Sequence, residues 1–331
     1  MDSINNYLPW VEKYRPKYFE NIMSHQMIIN SIKSMIDNGN MPHLLFYGPP
    51  GTGKTSTSNV ICSYLFKDDK NAHVLELNAS DDRNISTVRN EIQNFAITDL
   101  IFSSGLKIVI LDEADAMTTP AQMALRCIIE TNSNHVRFCI ICNNINSIIP
   151  AIQSRCSKFR FPPLGREIIY NYLHNIINKE SLSFDESGIN SIVKISKGDL
   201  RKAINILQST SLSLNKCKFI NESNVHLTMG YPSEKNIKSC LNFFLNYDFK
   251  YSLQRITELK TNLGLSLADI ITELTILILD YDFPYKIKCD ILGNLGDLEY
   301  FLSKGTNESI HLAALVGIFQ IARDDLADEN Y

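Results

Sequence analysis

A chain of 331 residues is too long for one ordinary domain and comfortable for two or three. It is 44% hydrophobic and 21% charged, and 36 acidic against 32 basic side chains leave a formal charge of -4, so bulk charge does not favour a polyanion and any nucleic-acid contact needs a local basic patch. No apolar run reaches the roughly 18–20 residues that span a bilayer, no secretory leader pattern is seen, and eight scattered cysteines suit reduced, buried thiols, so a soluble intracellular protein with no membrane partner is expected.

In chain order, Ile28, Ile29, Ile32, Met35 and Ile36 recur at helical spacing over residues 26–38, and Gly39 ends that helix. Short β-like runs then alternate with helical stretches. Strands are expected at 43–47, 73–77, 106–111, 136–142 and 158–161, with helices at 54–65, near 85–97 and at 120–130. This alternation implies a parallel sheet covered on both faces. Cys139 and Cys142 form a C-x-x-C inside the 136–142 run, but a strand points those two side chains to opposite faces, which argues against a metal or redox pair. Pro162-Pro163 interrupts the pattern. Beyond it three short helices are expected at 167–179, 187–195 and 200–210, followed by a second break at Gly230-Tyr231-Pro232. From Ser233 onward everything reads helical, with an apolar stripe at Leu267, Ile270, Ile271, Leu274 and Ile278 that calls for partner helices. The layout is an α/β nucleotide-type domain at 1–161, a small helical domain at 162–229 and an all-α domain at 230–331.

Gly48-Pro49-Pro50-Gly51-Thr52-Gly53-Lys54-Thr55 fits G-x-x-x-x-G-K-[ST] at every fixed position and lies between an apolar strand and a helix. Glycines let backbone N–H groups wrap phosphates, and the helix that begins there presents its positive end to the anion. Lys54 would reach the β- and γ-phosphates and Thr55 would place its hydroxyl on Mg²⁺. Downstream, Ile108–Leu111 leads into Asp112-Glu113, and acids at the carboxyl end of a parallel strand face the ligand crevice. Asp112 suits Mg²⁺, directly or through water, and Glu113 suits a general base acting on water. Residues 112–115 spell D-E-A-D, but the Ser-Ala-Thr motif and second arginine-rich domain of that helicase class are not found.

Leu8-Pro-Trp-Val-Glu-Lys-Tyr-Arg-Pro16, Glu76-Leu-Asn-Ala-Ser-Asp-Asp-Arg83, Leu111-Asp-Glu-Ala-Asp-Ala-Met117, Ile152-Gln-Ser-Arg-Cys156 and Gly198-Asp-Leu-Arg-Lys-Ala-Ile-Asn205 stand in the order of signatures of the eukaryotic clamp-loader small subunits. Asp297–Glu308 is similar to the collar of one subunit type. From about Leu8 to Arg323 the chain resembles the replication factor C family of AAA+ ATPases. The resemblance implies an AAA+ module with a helical lid and a C-terminal collar. It also implies ATP with Mg²⁺ as cofactors, a hetero-oligomer (a pentamer) with other clamp-loader subunits, the sliding clamp PCNA and primer-template DNA as partners, and a nuclear location.

The same resemblance assigns roles residue by residue. Val11, Arg15 and Met23 match positions around adenine and ribose, and Ser56 completes the phosphate loop. Asn143, or the adjacent Asn144, matches sensor 1, and Arg201 on the lid matches sensor 2. Arg155 matches an arginine finger that serves a neighbouring subunit's ATP in trans, with Arg126 as a second trans-acting cation. Relatives place another arginine where Cys127 stands and a glycine where Ser24 stands. Arg83 and Arg89 match a helix that tracks the DNA backbone, where phosphate contacts need charge but no sequence code. Without the resemblance they read as a solvated helix face. Residues 119–125 match the clamp-docking helix, and Gln122 the residue coupling it to its neighbours; simple packing of an amphipathic helix is the other reading.

Overall fold

Continuous apolar runs such as Leu44-Leu-Phe-Tyr47 and Lys107-Ile-Val-Ile-Leu-Asp112 suit strands buried on both faces, and they form the centre of a five-stranded sheet. The computed structural model describes residues 8–67, 70–78, 91–95, 106–133, 135–213 and 219–328. Strands β1 (Leu44–Tyr47), β2 (Val74–Asn78), β3 (Lys107–Asp112), β4 (Val136–Cys142) and β5 (Ser157–Arg160) run in the order β2-β3-β4-β1-β5, with every pairing parallel. Tyr47 pairs with Cys142, and Asn78 with Asp112, so the carboxyl ends of β1, β3 and β4 open on one edge.

Side-chain alternation splits the sheet into two apolar clusters. Leu45, Val109, Leu111, Phe138, Ile140 and Cys142 pack on one face, while Leu44, Phe46, Ile108, Ile110, Cys139 and Ile141 pack on the other. The two cysteines of the C-x-x-C therefore point in opposite directions, as the strand period requires. No group of three or more His, Cys, Asp or Glu arranged to hold a metal occurs among the described residues. Around the sheet lie helices Gln26–Asp37, Lys54–Phe66 and Thr119–Asn132, and residues 91–95 are helical with Ile92 fully buried.

Two contact units emerge: the described residues up to Ser183 together with Ile192–Gln208, and Phe184–Ser191 with Ser209 onward. In the first, helix Arg166–Lys179 and most of Leu200–Ser213 join the sheet. Expectation and structure differ in small elements. A four-residue helix at Trp10–Lys13, a two-stranded β pairing of Ser183–Phe184 with Phe219–Ile220, and a helix at Glu222–Met229 are present but carry too little periodicity to be read from sequence.

In the second unit, helices Glu234–Asn246, Phe249–Leu263, Leu267–Asp280, Tyr285–Ser303 and Glu308–Asp328 enclose one core. The stripe of Leu267, Ile270, Ile271, Leu274 and Ile278 is no more than 1% exposed inside this chain's own bundle. Its partner helices are thus intramolecular, because a 14-residue helix with so wide an apolar face must first complete the core it belongs to. No single helix among the described residues is long and apolar enough to cross a membrane.

Candidate nucleotide site

Between β1 and helix Lys54–Phe66 the backbone adopts conformations that side chains resist. Gly48, Gly51 and Gly53 have φ of 145°, 69° and 95°. A Cβ on Gly51 would stand 1.7 Å from the Asp199 carboxylate, and one on Gly48 2.0 Å from the Phe161 carbonyl oxygen. Helix Lys54–Phe66 starts immediately after Gly53 without a side-chain cap. Its first-turn N–H groups and the positive end of its dipole therefore face the crevice, an arrangement that fits phosphate.

Lys54 is buried at 7% exposure. Its ammonium donates to the carbonyls of Gly48 (2.7 Å) and Pro49 (2.8 Å) and to Asn143 Oδ1 (3.0 Å). Burial lowers its pKa and the Asp112 carboxylate opposes that, while the Arg201 charge acts with burial. Thr55 Oγ1 donates to Asp112 Oδ2 at 2.7 Å. A hydroxyl and a carboxylate converging at the loop's end are the donor set that suits Mg²⁺. Glu113 follows with φ 53°, its N–H bonded to Asp112 Oδ1 at 2.9 Å.

One pocket gathers these groups. Val11, Arg15 and Met23 line it with Pro50 to Ser56, Asp112, Glu113, Asn143 and Arg201. Gly48 and Pro49 do not line it; their part is to accept the Lys54 ammonium. Asn144 turns away and caps the short helix Ile145–Ser147 by accepting from Asn146 N–H at 3.0 Å. The lid closes on the loop through Leu200 N–H, which donates to Gly51 O at 3.2 Å, while Asp199 caps the lid helix by accepting from Lys202 N–H. That geometry explains the Gly198-Asp-Leu-Arg signature: Gly198 turns at φ 91°, Asp199 caps, Leu200 docks and Arg201 reaches the pocket. Sequence reasoning did not single out Tyr172, Ile168, Ile204 and Cys142, which also line the pocket. Ile168 and Tyr172 belong to no motif, Ile204 lies within the Gly198–Asn205 signature and Cys142 ends β4, and all four reach the pocket through the packing of lid and sheet. Burial pushes the Cys142 thiol up to about 12, so it stays a neutral wall group.

Arg155 is not among the pocket's lining residues. It follows helix Pro150–Gln153, donates to Ala151 O at 2.7 Å and pairs with Glu130. Arg126 Nε stands 3.2 Å from the same carboxylate, at ion-pair distance but without hydrogen-bond alignment. Gln122 is 3% exposed and bridges three backbone segments. It donates to Met117 O (3.3 Å) and Ser147 O (2.9 Å) and accepts from Ile149 N–H (2.8 Å). Arg83 and Arg89 lie outside the described residues.

A parallel sheet whose carboxyl edge carries a lysine loop, a Thr–Asp pair and a lid arginine defines a P-loop ATPase of the AAA class. Residues 44–164 match the family model of the ATPase family associated with various cellular activities (AAA), residues 171–212 that of the RCF1/5-like AAA+ ATPase lid domain, and residues 232–317 that of the Replication factor C C-terminal domain. Replication factor C subunit 5 of Homo sapiens is 47% identical over 323 residues, covering 97% of this chain and 94% of that protein. Replication factor C subunit 3 of Blastobotrys adeninivorans is 41% identical, covering 97% and 95%. The chain belongs to the replication factor C family. Among solved structures, the Holliday junction branch migration motor RuvB of Thermotoga maritima shares the fold, with a TM-score of 0.54, 15% identity and coverage of 82% of this chain and 99% of that one.

Proposed function

We propose that this chain is the ATP-binding and ATP-hydrolysing small subunit of a clamp loader that opens the sliding clamp PCNA and loads it on primed DNA in the nucleus. The observation that carries the catalytic half of this reading is the convergence of Lys54 with Asn143 and of Thr55 with Asp112 in one glycine-built pocket. Replication factor C membership supports the rest, including a hetero-oligomer, a pentamer with other loader subunits.

In this reading ATP lies between the α/β domain (1–161) and the lid (162–229), and Mg²⁺ is held by Thr55 and Asp112. The metal ion supplies charge neutralisation at the phosphates. Loop N–H groups and Lys54 bind the phosphates, Glu113 takes the proton from water, and Asn143 and Arg201 report on the γ-phosphate end. Arg155, which does not line its own pocket, serves an adjoining subunit, with Arg126 beside it. Arg83 and Arg89 contact the DNA backbone, and residues 119–125 of helix Thr119–Asn132 dock on the clamp. The domain at 230–331 forms the collar. Ile276, Leu279, Tyr285, Tyr300, Phe301, Ile310 and Ile321 are 44–84% exposed on its helices and offer the apolar surface for neighbours.

The test is ATP turnover by the reconstituted complex with primed DNA and clamp. Glu113→Gln should keep nucleotide binding and lower turnover at this site by roughly 10²- to 10⁴-fold, the size of a general-base contribution. Arg155→Ala should leave this site intact and slow the neighbouring one by about 10³-fold or more. Unchanged turnover in Glu113→Gln would leave a subunit that binds ATP and completes the ring without hydrolysing it.

A further inference from the structure

The opening signature Pro9-Trp-Val-Glu-Lys-Tyr-Arg15 contributes Val11, Glu12 and Arg15 to the pocket, yet Trp10, Lys13 and Tyr14 do not line it. The helix it forms, Trp10–Lys13, spans four residues and buries none of them. A single turn cannot hold itself in water, so its position must come from contacts elsewhere. Among the described residues, its long-range hydrogen bonds all run to the lid. At one end Trp10 N–H donates to Gln208 Oε1 at 3.0 Å. At the other, Tyr172 OH donates to the Tyr14 carbonyl oxygen. Between them one carboxylate oxygen, Glu180 Oε1, accepts from Lys13 Nζ at 2.6 Å and from Tyr14 OH at 2.5 Å.

Glu180 caps the end of helix Arg166–Lys179. The Lys13 and Glu180 side chains are only 26% and 21% exposed, so the pair is screened less than an open surface bridge. Two ammonium groups also approach the Tyr14 ring, with Lys13 and Lys179 at 5.4 and 5.5 Å from its centroid. Burial and the Glu180 carboxylate both raise the Tyr14 pKa, so the phenol stays protonated and remains a donor at any pH the protein meets.

We propose that Tyr14 and Glu180 are positioning residues for the base-and-sugar end of the nucleotide pocket: their hydrogen bond clasps the N-terminal segment to the lid, so that Val11 and Arg15 travel with the lid rather than with the sheet. Neither residue lines the pocket, so both act through Val11, Arg15 and Tyr172, which do. The consequence is mechanical. Lid closure brings one wall of the pocket, made of the segment and the lid helices together, onto the phosphate loop. A broken clasp lets the segment lag behind, and affinity falls while the phosphate chemistry at Lys54, Asp112 and Glu113 is untouched.

This inference rests on the ATP-site reading, and one experiment separates the two. The assembled complex is titrated with a fluorescent N-methylanthraniloyl-ATP and Mg²⁺, and the signal lost in Lys54→Ala defines this subunit's site. Tyr14→Phe and Glu180→Gln should each raise the Kd at that site and the KM for ATP by about three- to tenfold, the size of one ordinary net hydrogen bond. Maximal turnover should stay within about twofold, and the double variant should be no worse than the weaker-binding single. Tyr14→Phe keeps the ring and its packing, so it tests the clasp even if Glu180→Gln folds poorly. Unchanged affinity in Tyr14→Phe, or additive losses in the double variant, would overturn the clasp. The absence of any Lys54-dependent signal in the parent complex would overturn the pocket reading and the clasp with it.

Discussion

Glu113 occupies the left-handed region of backbone space at φ 53°, a conformation that costs a non-glycine residue roughly 1–3 kcal/mol and persists where surrounding structure imposes it. Here the strand ends, Asp112 Oδ1 takes the Glu113 N–H, and the chain turns into the short helix Ala114–Ala116. His43 is a second residue under tension. Its Nδ1 accepts the Phe138 N–H at 3.2 Å, its ring leans on Phe138, and burial, aided by the Arg137 charge, lowers its pKa to about 4. An unfolded imidazole takes its proton near pH 6.5. Between pH 6.5 and 4 the unfolded chain therefore binds the extra proton and the folded one does not. The stability involved is complete above pH 6.5 and is lost as pH falls toward 4, by an amount on the order of 2–3 kcal/mol. Urea titrations at pH 7.5 and pH 5 should show a steeper acid loss for the parent protein than for His43→Gln; equal losses would show that His43 does not carry it.

At the scale of elements, the helix Thr119–Asn132 is joined to the segment that carries Arg155 by one buried amide. Gln122 ties Met117, Ser147 and Ile149 together, and Ile149 caps helix Pro150–Gln153, directly before Arg155. Gln122→Met keeps the volume but removes the partner of the Met117 and Ser147 carbonyls and of the Ile149 N–H. We expect a loss of about 2–4 kcal/mol in unfolding free energy, and in the assembled complex a fall in turnover resembling that of Arg155→Ala. A stability loss with normal turnover would confine Gln122 to packing. The alternating strands and the lysine loop were legible because buried parallel strands and phosphate cradles tolerate few residue types. The helix Glu222–Met229 was not, since its polar run shows no single apolar face.

For the whole molecule, the central expectation is that an isolated chain turns ATP over slowly. Arg155 stands outside its own pocket and is occupied by Glu130 and Ala151 O. A monomer verified by light scattering should therefore bind Mg·ATP yet hydrolyse it at least about 10³-fold more slowly than the assembled loader. Brisk turnover by that monomer would contradict a borrowed guanidinium. The apolar surface left exposed also differs from the stripe that sequence alone offers. The periodic residues from Leu267 to Ile278 close the chain's own core, and the exposed set includes Ile276 and Leu279 on the opposite face of the same helix.

Sequence by itself determined the sheet, the phosphate loop, the paired acids and the family, because each depends on short-range constraints: strand period, glycine φ angles and fixed motif spacing. Tertiary structure alone decided that Asn143 rather than Asn144 meets Lys54, that Asp199 underlies the need for glycine at position 51, and that Tyr14, Glu180 and Tyr172 join the segment at 10–14 to the lid. Those contacts link positions 89 to 166 residues apart, and no local periodicity records which distant side chain a fold will bring within hydrogen-bond reach.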